Sequence, residues 1–164
     1  MRGRVDNDLE QDIAVFWSLI FEIVSDMEKR LFAFLEVHQL TPPQFYVLKT
    51  LFEHDGRCRI GQIAHEHHLT NATMTGLIKR LEATTPPLVV REKSADDGRS
   101  VDVILTPSGY ERFWAVQNSL LAQARTVLSL LPRQERTDAM EKVRLYFQML
   151  VQQFPLERVE SDNQ

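Results

Sequence analysis

Residues 8–38 constrain this chain more than any other stretch. Apolar side chains recur at Leu9, Ile13, Phe16, Ile20, Ile23, Met27, Leu31 and Phe34. The steps are mostly four and three, which place them on one face of a helix from Asp8 to about His38. Trp17, Phe21 and Val24 form a second stripe beside the first. A helix apolar over so wide an arc cannot be covered by the edge of one small domain. It is either a central core helix or one shared between a domain core and a partner subunit. The chain closes in the same manner. Thr106-Pro107 starts a helix that reaches about Leu131, with Phe113, Trp114, Leu120, Leu121, Val127 and Leu128 apolar, and Leu131-Pro132 breaks it. A final helix carries Met140, Val143, Phe147, Leu150, Val151 and Phe154.

The middle of the chain is patterned differently. Thr41 can cap a helix that begins at Pro42-Pro43 and runs to about His54, with Phe45, Leu48 and Leu51-Phe52 facing inward. Asp55-Gly56 is a turn and Cys58-Arg59-Ile60 is short and extended. Gly61 to Leu69 reads as a short helix with Ile63, Ala64 and one of His67 and His68 near the core. Thr70 or Asn71 then caps a second helix, in which Met74, Leu77, Ile78 and Leu81 form the apolar stripe. Its other face holds Asn71, Thr73, Thr75, Gly76, Lys79 and Arg80, all small, polar or basic. Two short helices about a tight turn, the second with a basic outer face, form a helix-turn-helix pattern. Leu88–Lys93 is β-prone, Ala95-Asp96-Asp97-Gly98 is turn chemistry, and Val101, Val103 and Leu105 alternate with Asp102 and Ile104 as in a half-buried strand. The result is a β-hairpin with a basic tip directly after the second helix.

Charge distribution agrees with that division. The formal net charge is −4, yet residues 57–99 hold seven Lys and Arg against five Asp and Glu, while residues 1–56 hold five against ten. Only the middle segment is basic, which favours a polyanionic partner there. A single cysteine allows no internal disulfide. The start, MRGRVDNDLEQD, is acidic and unlike a signal peptide, and no run of 18 apolar residues is present. A cytoplasmic protein without a membrane span is expected.

Asp97-Gly98-Arg99, followed by five residues and Leu105-Thr106, resembles the wing signature of the MarR family of winged-helix transcription regulators. The resemblance covers nearly the whole length, from the long first helix through the helix-turn-helix and wing to the two last helices. One departure stands out. Where the family usually has a glycine entering the wing, this chain has Ala83-Thr84-Thr85-Pro86-Pro87-Leu88-Val89, with two prolines and two extra residues. The resemblance implies a mostly α fold with a small β-hairpin wing. Residues 41–106 would form a winged helix-turn-helix domain, with N-terminal (1–40) and C-terminal (107–164) helical segments for dimerisation. It also implies a homodimer on a pseudo-palindromic DNA duplex, more often a repressor, released by a small anionic aromatic effector.

Under that reading Thr70, Asn71, Thr73, Thr75, Gly76, Lys79, Arg80, Lys93, Asp97 and Arg99 face DNA. Short threonine side chains allow close approach to base edges, and Lys79 and Arg80 suit phosphates. Arg99 at the wing tip suits a narrow minor groove, with Asp97 two residues away to orient its guanidinium. The bland alternatives are a solvated helix face and a surface salt bridge. Trp17, Phe21, His38, Phe45, Tyr46 and Trp114 are the candidates for an effector cleft, against the simpler reading of them as core. Cys58 lies between Arg57 and Arg59, which could lower its pKa and make it an oxidant sensor, though a plain small residue in a short strand also fits. His65-Glu66-His67-His68 could suggest a metal, but no Cys or His follows residue 68 to complete a site, and surface or packed histidines are expected. No cofactor is implied. Gly-x-Ser-x-Gly, a phosphate loop and a paired-carboxylate motif are all absent, so an enzyme is not expected. The acidic net charge leaves one alternative, a winged-helix protein-interaction module that binds no DNA.

Overall fold

The computed structural model describes residues 2–94 and 100–154. In chain order the elements are α1 (Arg2–Val37), α2 (Pro42–Glu53), β1 (Arg57–Arg59), α3 (Ile60–Glu66), α4 (Asn71–Glu82), β2 (Val89–Lys93), β3 (Val101–Leu105), α5 (Pro107–Ser129) and α6 (Arg133–Gln153). The fold is mostly helical with one small antiparallel sheet. The chain divides into two compact units, residues 1–120 and 121–164.

In the first unit, threonines mark where helices begin. At the start of α2 the Thr41 backbone N–H donates to Gln44 Oε1 at 2.9 Å. Thr70 Oγ1 accepts the Thr73 backbone N–H at 3.2 Å at the start of α4. Thr106 Oγ1 accepts the Gly109 N–H at 3.0 Å at the start of α5. Each satisfies a donor that the first helical turn leaves without a partner. Between α2 and β1, Asp55 and Gly56 both take left-handed φ values, 54° and 85°. The left-handed turn favours glycine at position 56, where a Cβ would also lie 2.3 Å from the Tyr110 hydroxyl and displace the end of that side chain.

The core is one cluster that joins Leu35 and Leu40 to the buried faces of α2, α3 and α4, to Leu88, Val89, Val103 and Leu105, and to Phe113 and Val116. Only the last part of α1 enters it. That helix starts at Arg2 rather than Asp8, because an apolar stripe marks where a helix needs cover and not where its backbone bonds begin. In the other direction α3 ends at Glu66, before the expected Leu69. His68 turns left-handed with φ 52°, and the Leu69 N–H donates to the Ala64 carbonyl at 2.9 Å.

The sheet has three strands in the order β1-β3-β2, all antiparallel. Cys58 pairs with Val103, and Val103 with Arg91. The expected hairpin is therefore widened by β1, and β3 is central. Its burial departs from the alternation expected of a half-buried strand, since Asp102 is only 7 % exposed. Arg59 and Glu92 flank Asp102 in register, one on each side. Glu92 and Asp102 are like charges directly opposite each other, an unfavourable pair. Arg57 bridges them, 2.7 Å from Glu92 Oε2 and 3.5 Å from Asp102 Oδ2.

The second unit comprises the end of α5 and α6. The Arg136 guanidinium donates to the Leu128 carbonyl at 3.4 Å, near the end of α5. No residue of α6 is buried, and Met140, Val143, Phe147, Leu150 and Val151 are all exposed.

Candidate nucleic-acid interface

In α4 the 3.6-residue period separates two faces completely. Met74, Leu77, Ile78 and Leu81 are buried against the core. Asn71, Thr73, Lys79 and Arg80 are exposed, and Thr75 and Gly76 are half-buried. The apolar stripe thus holds α4 down and presents the polar face outward. The approach of α3 sets the beginning of that face. A Cβ on Gly61 would lie 3.8 Å from Asn71 Oδ1, an ordinary contact, so the start of α3 lies beside that of α4 without glycine being required there.

The hydroxyls of this face are partly spent on the helix itself. Thr73 Oγ1 lies 2.9 Å from Thr70 Oγ1, and the Thr75 hydroxyl donates to the Asn71 carbonyl at 2.7 Å. What these threonines offer outward is mainly methyl surface and acceptor lone pairs. The Asn71 amide, the Lys79 ammonium and the Arg80 guanidinium have no side-chain partner among the described residues. Gly76 is different in kind. A Cβ there would meet no described residue within 4 Å, so no packing among the described residues accounts for a glycine in mid-helix. Such a glycine is unfavourable by about 1 kcal/mol relative to alanine.

Arg59 apart, the described basic residues of the middle segment divide into two groups. Arg57 is occupied by Glu92 and Asp102, and Arg91 by Glu82 at 2.8 Å. Lys79, Arg80 and Lys93 carry no ion pair among the described residues. The wing residues Asp97 and Arg99 lie outside the described residues. The connection from α4 to β2 is tied at both ends. Thr84 Oγ1 bonds to the Leu81 and Pro86 carbonyls, and the Leu88 N–H also donates to the Leu81 carbonyl. The Thr106 hydroxyl donates to the Pro87 carbonyl at 2.6 Å, which seats the proline pair against the start of α5.

Cys58 does not sit among cations. In a strand, neighbours point to opposite faces, so Arg57 and Arg59 are exposed while Cys58 is buried. Burial, with Glu66 adding to it, pushes the thiol up to about 11, against the oxidant-sensor alternative and in line with a plain small residue in a short strand. Two histidines, His67 and His54, are engaged locally. His67 Nε2 is 2.9 Å from Thr50 Oγ1, and burial holds its pKa below the usual histidine value. His54 Nε2 is 3.0 Å from Glu66 Oε1. Among the described residues no group of three His, Cys, Asp or Glu is placed to hold a metal. No helix of the described residues is long and apolar enough to cross a membrane.

The six effector-cleft candidates fall into separate places. Phe45 is 4 % exposed and stacks on Phe113 with ring centroids 5.7 Å apart. Phe52 joins Phe113 to Trp114, and Tyr46 lies against Phe45. Trp17 and Phe21 form their own pair on α1 at 5.9 Å, 51 % and 68 % exposed. His38 contributes its backbone carbonyl, which accepts from the Arg112 guanidinium. Phe52 and Phe113, which complete the aromatic cluster, were legible only as core.

Comparison with known proteins adds a family to this geometry. The family model described as MarR family matches residues 40–101. The transcriptional regulator TtmR of Methylorubrum extorquens is 39 % identical over 72 residues, 44 % of this chain and 35 % of that protein. The organic hydroperoxide resistance transcriptional regulator of Bacillus subtilis is 30 % identical over 91 residues, 56 % of this chain and 60 % of the relative. The chain thus spans between a third and three-fifths of those two relatives. The Bacillus subtilis transcriptional repressor MdtR is 29 % identical over 126 residues, 77 % of this chain and 74 % of that protein. A solved MepR-like protein complexed with pseudoligands is 31 % identical, with 83 % of this chain and 92 % of that one covered and a TM-score of 0.51. The S. aureus MepR–DNA complex aligns with a TM-score of 0.66 at 26 % identity, over 81 % of this chain and 98 % of that one.

Proposed function

Since the chain belongs to the MarR family, we propose that it is a sequence-specific DNA-binding regulator of transcription that works as a homodimer. The observation that carries this reading is the outer face of α4, where Asn71, Lys79 and Arg80 have no partner among the described residues and Gly76 leaves the helix surface open. A flat face with unspent donors and two cations suits a helix laid into a major groove, with phosphates at its rim. The structural likeness to MepR, itself solved on DNA, supports the same reading. In this proposal residues 41–106 read DNA, with Thr70, Thr73, Thr75, Lys93, Asp97 and Arg99 contributing to contacts with bases and phosphates.

The terminal segments, 1–40 and 107–164, supply the dimer. Leu9, Ile13, Trp17 and Phe21 on α1 and Met140, Val143, Phe147 and Leu150 on α6 are exposed in the single chain. So much apolar surface is unusual for a monomer, and a second copy covers it in this reading. The regulator acts as a repressor, as its relative MdtR is described. It is released by an anionic aromatic effector bound near His38, Tyr46 and Trp114, with Phe45 behind Tyr46 and with Trp17 and Phe21 nearby once two copies assemble. A MepR-like protein solved complexed with pseudoligands supports a site for a small molecule. An effector that prefers the dimer with misplaced recognition helices lowers DNA affinity by that preference.

A gel shift against the promoter region beside the protein's own gene tests the reading. A retarded band whose affinity falls steeply with salt is expected. Failure to shift that region or any duplex enriched from a random library would favour the protein-interaction module. Salicylate-like compounds added to the shifted complex test release.

A further inference from the structure

The connection between α4 and β2 carries two prolines and no glycine, so something other than a tight glycine turn must set where the wing stands. The Thr84 and Thr106 hydroxyls hold the connection itself, and the Glu82 carboxylate is the α4 group that reaches the strand beyond it. Glu82 is the last residue of α4, and both its oxygens reach Arg91 in the wing strand. The Arg91 backbone N–H donates to Oε1 at 3.0 Å and its guanidinium to Oε2 at 2.8 Å. Among the described residues Glu82 is the one α4 side chain hydrogen-bonded to the hairpin. The next residue along β2, Glu92, points to the opposite face and is held by Arg57 of β1. The wing strand is therefore gripped on one face by the outward-facing helix and on the other by the sheet.

We propose that Glu82 is a positioning residue for DNA recognition: by holding β2 against α4 it sets the spacing at which helix and wing reach adjacent grooves. The proposal rests on the DNA-binding reading above. It gives Arg91 a role in geometry rather than in neutralising phosphate, and it explains how a wing without the usual glycine keeps a defined place. A backbone bond and a charge-assisted bond from one carboxylate fix both the position and the orientation of the strand.

The test uses the full chain and its Glu82→Ala, Glu82→Gln and Arg91→Ala variants. Duplexes are first enriched from a random library with the wild type. Each protein is then titrated with the enriched duplex and with duplexes whose centre is kept and whose A·T-rich flanks are shuffled. The wild type discriminates between flanks, because the wing reads a narrow minor groove. Glu82→Ala is expected to keep its preference for the central bases, lose flank discrimination, and bind the enriched duplex roughly tenfold more weakly. Glu82→Gln keeps an acceptor for the Arg91 N–H and Arg91→Ala keeps the backbone bond, so each falls between. If Glu82→Ala fails to fold by circular dichroism, Glu82→Gln is read for flank discrimination in its place. Wild-type flank discrimination in the folded variant overturns the proposal. So does an equal weakening on every duplex, which marks a purely structural pair. If the wild type enriches no duplex, the DNA-binding reading is overturned and this proposal with it.

Discussion

Helices α4 and α6 carry the same kind of apolar stripe and meet opposite fates. In α4, Met74, Ile78 and Leu81 are fully buried, and what the helix shows to solvent is polar, small or basic. In α6, Met140, Val143, Phe147 and Leu150 stand open, with Phe147 62 % exposed. Helical periodicity states that a face must be covered and is silent about which chain covers it. The contrast separates a module that completes its own core from a helix whose apolar face no described residue covers. Four experiments break or sharpen it.

The largest effect is expected at Gly109, where the self-completed module closes. A Cβ there would lie 2.1 Å from the Leu88 carbonyl oxygen and 2.6 Å from Leu105 Cδ1. The carbonyl belongs to the backbone and is fixed by the Thr106 N–H at 3.1 Å. Gly109→Ala should therefore force α5 away from the wing base and cost about 3 kcal/mol. Urea unfolding followed by circular dichroism measures it, and a loss below about 1 kcal/mol would mean that the contact relaxes freely.

Phe147→Asp probes the other side of the comparison. Nothing among the described residues buries Phe147, so the module should keep its helical content while association weakens. A central interface residue contributes about 2 kcal/mol or more, which is roughly a thirtyfold rise in the dimer dissociation constant. Sedimentation equilibrium should shift from about twice 19.1 kDa towards the single chain. An unchanged mass would place Phe147 outside the interface.

Third is the cap of α4. Thr70→Ala removes the acceptor of the Thr73 N–H and the partner of the Thr73 hydroxyl. A loss of about 1 kcal/mol in stability is expected. Thr70→Asn, which restores a capping oxygen, should recover most of it in the same thermal unfolding assay.

How far these regions were legible follows from the range of the interactions involved. The helix starts at Thr41, Thr70 and Thr106 and the stripe of α4 were readable because caps and periodicity act over a few residues. Asp102 was misplaced because its burial depends on β1, whose Arg57 lies 45 residues away, converting an edge hairpin into a three-stranded sheet. Cys58 was surrounded by cations in sequence but not in space, since strand alternation sends Arg57 and Arg59 to the other face. The basic tally of residues 57–99 overstated the free charge for a related reason. Glu82 and Glu92 pair with Arg91 and Arg57 across elements, which a count along the chain cannot register. The terminal stripes were legible as apolar surface, and no intrachain pattern could name their partner.

Gly76→Ala is the smallest change and the one that splits the module's stability from its proposed use. The position lies in mid-helix on the outward face, and the added methyl would meet no atom within 4 Å. Replacing glycine with alanine in a helix stabilises by about 0.5–1 kcal/mol through the lower entropy of the unfolded chain. If α4 merely faced solvent, Gly76→Ala would be an improvement with no penalty. If α4 lies in a major groove, the methyl occupies space that a base edge or sugar-phosphate must enter, and affinity falls even as the midpoint of thermal unfolding rises. The opposite signs are the expected outcome, read by differential scanning calorimetry and by a gel shift on one preparation. A rise in both would show that the glycine keeps no room for DNA. The open face of α4 would then be an ordinary solvated surface, no different in kind from the exposed polar residues elsewhere in the chain.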